Sequence, residues 1–101
     1  MYRFYRRQFL NLRGHHAGAY VLAVVEALPE DPTEESWREI TLELTDCWRR
    51  VVFEFPLVTA ADRRNSVRKA RLLADVTAGF AEALAIEADL EAARRSSRRR
   101  K

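Results

Sequence analysis

The clearest alternation of apolar and polar positions falls at residues 38–45. Ile40, Leu42 and Leu44 take every second place, and Glu39, Thr41, Glu43 and Thr45 fill the places between. A period of two sends the first set to one side of a strand and the second to the other, which predicts an inward apolar face and a wet polar one. Residues 49–57 repeat the pattern: Val51, Phe53, Phe55 and Leu57 oppose Arg50, Val52 and Glu54, with a turn at Asp46 and Cys47 joining the two strands. Pro56 has no amide hydrogen to give and belongs near a strand end or on an edge. Residues 2–9 are rich in aromatics and predict a first strand, with Tyr2 and Phe4 on one face and Tyr5 and Phe9 on the other. Residues 17–28 are apolar on both faces, Tyr20, Leu22 and Val24 against Val21, Ala23 and Val25, as a central strand requires. Asn11 and Gly14 mark the first connection, and residues 29–35, with two prolines and four acids, form an acidic turn.

The period then changes. From Thr59 onward Ala, Leu, Arg and Glu dominate, residues 60–95 contain no proline, and Gly79 is their one glycine. This predicts a helix over about 60–95, opened by Thr59 with Asp62 three places on as a capping pair. Val67, Ala70, Leu73, Val76, Phe80, Ala83 and Leu84 supply a stripe for the sheet. Roughly 34 helical residues span about 50 Å, whereas an eight-residue strand spans roughly 27 Å. Such a helix overhangs its sheet, bends back, or packs on a partner. Ala78, Ala81, Ala85, Ala88 and Ala92, continuing the line of Ala74, recur at heptad-compatible spacing and form a ridge suited to close helix–helix contact. They are the expected homodimer interface. The expected fold is therefore α+β: a four-stranded antiparallel meander and one long C-terminal helix, in a single domain over residues 1–93, with a basic tail at 94–101.

Charge changes how that tail is read. Residues 94–101 hold six of the 18 Lys and Arg, while residues 1–93 hold the other 12 against all 15 Asp and Glu. The formal net charge of +3 thus belongs to the end of the chain more than to its body. Charge also runs in blocks: four Arg and no acid in residues 1–20, nine acids against three Arg in 21–58, five cations against Asp62 in 60–73, and five acids alone in 74–93. Blocks of alternating sign suit contacts between copies as well as contacts with phosphates. The longest apolar stretch, residues 17–28, contains Glu26 and is too short to cross a bilayer. Residues 1–20 lack the pattern of a signal peptide, and one cysteine excludes a disulfide framework, so the expected location is cytoplasmic.

Little in the chain resembles catalytic machinery. His15 and His16 point apart if they lie on a strand, and Cys47 lies about thirty residues on; a Cys–His pair needs the two turns to converge and needs a third group to orient the imidazole. Residues 13–18 carry two glycines but neither the phosphate-loop ending nor the dinucleotide spacing. Glu39 and Glu43 are explained by strand alternation, with Glu54 a candidate neighbour across the hairpin. No enzyme activity, cofactor or metal is expected.

The basic residues carry more. Arg63, Arg64, Arg68, Lys69 and Arg71 crowd the first turns of the helix, where positive charge opposes the helix dipole; Asp75 is placed to pair with Arg71. Phosphate binding explains such a stripe, as does pairing with acids of the sheet or of a partner. The first strand interleaves Tyr2, Phe4, Tyr5 and Phe9 with Arg3, Arg6 and Arg7, the two ingredients of a single-strand binding surface. Four strands and a helix also occur in dimeric single-strand-binding folds, a likeness of architecture that transfers no residues. The expected function is non-enzymatic binding of single-stranded DNA or RNA by a homodimer. Arg63, Arg64, Arg68, Lys69 and Arg71 contact phosphates, Tyr5 or Phe9 stacks on bases, and Arg98, Arg99, Arg100 and Lys101 add diffuse affinity. The alternative is a structural or adaptor subunit that holds a protein partner.

Overall fold

A computed structural model describes residues 1–31 and 38–99 of the chain. Its elements are β1 (Tyr2–Phe9), β2 (Tyr20–Glu26), β3 (Ile40–Asp46), β4 (Arg49–Glu54) and α1 (Ala60–Arg99). The strands form one antiparallel sheet in the order β1-β2-β3-β4. The fold is α+β, a meander followed by a single long helix, and β2 is central as its two apolar faces predict. By contacts the chain divides into two compact units, Met1–Arg63 and Arg64–Lys101. Among the described residues, no helix is long and apolar enough to cross a membrane.

Three strands are shorter or shifted relative to the expected 17–28, 38–45 and 49–57. β2 starts only at Tyr20 because residues 16–18 turn, the Gly18 amide donating to His16 Nδ1 at 3.0 Å. β3 runs on to Asp46, which pairs with Arg49 across a tight turn where Cys47 takes a φ of 59°. β4 stops at Glu54, although the Phe55 amide still donates to the Ile40 carbonyl at 3.2 Å; Pro56 then ends any ladder. Most of the acidic turn expected at 29–35 falls in residues 32–37, outside the described residues.

Register sets the two faces of the sheet. Tyr5, Val24, Thr41 and Glu54 line up across the strands, as do Arg7, Leu22, Glu43 and Val52, and Phe9, Tyr20, Thr45 and Arg50. The other face carries Arg6, Ala23, Leu42 and Phe53, and Gln8, Val21, Leu44 and Val51. Burial reverses the expectation for β3. Glu43 and Thr45, predicted to be wet, are buried, while Ile40, Leu42 and Leu44 are only half-buried. The reason is cross-strand: Tyr20 and Arg50 close over the polar row from both neighbouring strands. Ala19 and Val24 are the buried apolar side chains of the described residues.

The helix begins as the capping pair predicts. Thr59 Oγ1 accepts the Asp62 amide at 3.0 Å, and the Thr59 amide donates back to Asp62 Oδ2 at 3.3 Å. These two bonds satisfy donors that the first turn leaves unpaired. The far end continues past residue 95 to Arg99, so residues 94–99 of the basic tail are helical. Arg94 and Arg95 both donate to Glu91 Oε1, at 2.9 and 3.0 Å, and Arg98 and Arg99 sit in the last turn, where cations suit the helix dipole. Ser66 is the buried residue of the described helix; Val67, Val76, Phe80 and Leu84 are exposed and Leu73 is half-buried.

Candidate nucleic-acid interface

A register shift near the start of β1 reorganises its aromatic residues. Tyr2 pairs with Glu26 but Phe4 already pairs with Val25, so one extra residue sits between them on β1. A bulge of this kind moves every residue before it to the opposite face. Tyr2 therefore joins Tyr5, their ring centroids 5.1 Å apart, rather than Phe4 as strict alternation requires. Tyr5 and Phe9 share that face as expected, and Phe4 is left on the other. The result is a row of three rings, Tyr2, Tyr5 and Phe9, each a little over half exposed at 55%, 55% and 54%.

Arg7 stands in this row. Its guanidinium carbon lies 5.3 Å from the Phe9 ring centre and 5.2 Å from that of Tyr20, and the two rings meet edge-on at 6.2 Å. Two aromatic faces hold the cation by its attraction to their π clouds, which offsets part of the entropy lost in fixing a long side chain. Tyr20 is oriented from below, its hydroxyl donating to Glu43 Oε2 at 2.8 Å, and Arg50 Nε donates to the other carboxylate oxygen. These hydrogen bonds, first from Tyr20 and then from Arg50, hold the Glu43 carboxyl below its ordinary 4.5 against the opposing pull of burial; the charges of Arg50 and Arg7 add to the effect. Thr45, beside Tyr20 and Arg50 in register, keeps a buried hydroxyl with no partner among the described residues. Glu26, at the Tyr2 end, is occupied in accepting the Glu39 amide at 3.0 Å.

The helix cations divide by use. Arg63 Nη1 donates to the carbonyls of Leu57 and Val58, both at 3.2 Å, so it braces the chain entering the helix. Arg64, Arg68 and Arg71 are exposed, and Arg71 makes no ion pair with Asp75; Lys69 is half-buried. Arg98 and Arg99 are exposed on the last helical turn, while Arg100 and Lys101 lie outside the described residues. Ala78, Ala81, Ala85, Ala88 and Ala92 are all exposed.

Two turns remote in sequence do converge. Cys47 Sγ lies 3.7 Å from His16 Nδ1, and a side chain at position 18 would strike the His16 ring, an added Cβ meeting its atoms at 2.6 and 2.9 Å. The imidazole nitrogen nearest the thiol already accepts the Gly18 amide, so its lone pair is shared with the backbone. Among the described residues, no three of His, Cys, Asp and Glu gather as a metal site. Glu54 lies on the face of Glu43, opposite Thr41. The bulge is the feature that pattern reading missed; only the mismatch of two residues against one partner reveals it.

No known protein family, curated protein or solved structure matches this chain.

Proposed function

We infer that the protein is a non-enzymatic binder of single-stranded nucleic acid and that β1 is its contact strand. The observation that carries this reading is the row of Tyr2, Tyr5 and Phe9 on one face with Arg7 held between rings. Tyr5 and Phe9, four residues apart on the strand, are separated by roughly 13 Å, which leaves room for a base at each. Base–aromatic stacking contributes about 1–3 kcal/mol per base and tolerates any sequence. The surrounding charge agrees: residues 1–20 have four Arg and no acid, and Glu26 and Glu43 are engaged within the sheet. Arg64, Arg68 and Arg71, exposed on the helix, add phosphate contacts, with Arg98 and Arg99 contributing less specifically.

Fluorescence anisotropy with labelled oligo-dT and oligo-U tests the reading. The double variant Tyr5→Ala/Phe9→Ala should weaken binding at least about tenfold, and Arg7→Ala should also flatten the dependence of affinity on salt by roughly one unit of slope. The reading fails if the folded protein ignores both oligomers at low salt. It also fails if affinity survives the double variant and disappears only when residues 98–101 are deleted. A second reading, an adaptor for another protein, draws on the opposite sheet face, where Val21, Val25, Leu42, Leu44, Val51 and Phe53 present apolar surface and none is buried. It takes precedence if neither oligomer binds.

A further inference from the structure

The helix has its own unburied apolar face, and charge singles out what covers it. Lys69, Leu73, Val76, Phe80, Ala83, Glu87 and Leu90 follow one another at spacings of 4, 3, 4, 3, 4 and 3, a heptad seam along one side of α1. Leu72, Leu84 and Ile86 border it. Val76 and Phe80, at its middle, are 66% and 67% exposed. Lys69 and Glu87 are the seam's charged positions, of opposite sign, and stand equidistant from residue 78.

We propose that this seam docks a second copy of the chain with the two helices antiparallel and centred at residue 78. In that register Val76 meets Phe80 of the second copy, Leu73 meets Ala83, and Lys69 meets Glu87; each contact occurs twice by symmetry. Beside the seam, Leu72 faces Ile86 and Ala70 faces Leu84. Each large side chain from Leu72 to Ile86 finds an apolar neighbour, and each seam charge finds its opposite. The wider charge pattern agrees, because the basic residues 60–73 of one copy lie along the acidic residues 74–93 of the other. A parallel pair in register sets Lys69 on Lys69, Glu87 on Glu87 and Phe80 on Phe80, which puts like charges together at both ends of the seam. Polar residues in such seams select orientation and register in this way.

The alanine ridge, Ala74 to Ala92, runs along the opposite side of a helix with 3.6 residues per turn and stays outside this pair. Arg64, Arg68 and Arg71 also take outward positions. The inference therefore stands apart from nucleic-acid binding, which uses other side chains.

Light scattering and sedimentation equilibrium on the full chain decide it. The wild type should have a dimer mass at micromolar concentration. Glu87→Lys, which sets Lys against Lys69, should raise the dissociation constant at least about tenfold. Adding Lys69→Glu should restore it, because the exchanged pair is again opposite in sign. Ala85→Glu, on the ridge, should leave assembly unchanged. Circular dichroism checks that the helix persists in each variant. A monomeric wild type with an intact helix overturns the proposal, as does a dimer indifferent to Glu87→Lys, or one abolished by Ala85→Glu.

Discussion

Val24 and Val76 are the same side chain in two settings. Val24, in the central strand, is 2% exposed, with Tyr5 and Thr41 on the strands to either side. Val76, on the helix, is two-thirds exposed. The sheet gathers neighbours from distant parts of the sequence: Tyr20, Glu43 and Arg50 interlock across three strands. Side-chain bonds along the helix reach three or four places, as between Glu91 and Arg94 or Arg95 and from Thr77 to the Leu73 and Ala74 carbonyls. Local bonds can set the conformation of a helix, but they leave its apolar surface exposed. That surface needs tertiary or intermolecular packing before it contributes much stability.

The sharpest way to break this contrast is one substitution made twice. Val24→Ala should cost about 2 kcal/mol in urea unfolding, from lost apolar burial and an unfilled space. Val76→Ala should change the stability of the separated subunit by less than about 0.5 kcal/mol, as exposed positions do. Equal losses at both sites would mean that the helix face is covered within one chain. An intermediate effect is expected at the helix start, where Thr59→Ala removes the acceptor for the Asp62 amide and should cost about 1 kcal/mol. Helical signal and unfolding midpoint should fall together; an unchanged midpoint would show that the cap bond contributes nothing net.

The smallest effect at neutral pH carries the clearest signature. The Glu43 carboxyl titrates below its ordinary 4.5 in the folded chain, so the folded state favours the ionised form. The stability it adds is fully present above about pH 4.5 and is lost as pH falls through the lower folded value. Glu43→Gln should therefore flatten the acid side of a plot of melting temperature against pH, whereas Val76→Ala should keep the wild-type acid profile. If the Glu43→Gln variant kept the wild-type acid profile, acid sensitivity would belong to other carboxylates.

The same contrast separates what is legible in the residues from what is not. Helix type, its capping by Thr59 and Asp62, and the placement of β2 between two neighbours all follow from local composition and period, and the structure has them. Alternation puts Tyr2 with Phe4 because it assumes an unbroken strand, and one surplus residue before Phe4 reverses the side on which Tyr2 stands. Glu43 reads as wet because its own strand alternates; Tyr20 and Arg50, which cover it, come from other strands. His16 and Cys47 approach each other through two turns whose geometry has no periodic signal, one of them with Cys47 in the left-handed region. The candidate site lies half in view: Tyr5, Phe9 and the arginines stand out by type, whereas Tyr2 and the Arg7–Tyr20 contact depend on register.

The bulge in β1 also bears on how the chain survives its own synthesis. β1 is an outer strand, and an outer strand presents a line of unsatisfied backbone groups on which a stray strand can grow, the first step toward insoluble aggregates. Natural sheets discourage such growth with local kinks and with cations, and β1 has both: a surplus residue near its start and Arg3, Arg6 and Arg7 along its length. The irregularity that lines up Tyr2 with Tyr5 thus serves equally as a gatekeeper, allowing a strand rich in exposed rings to remain dispersed.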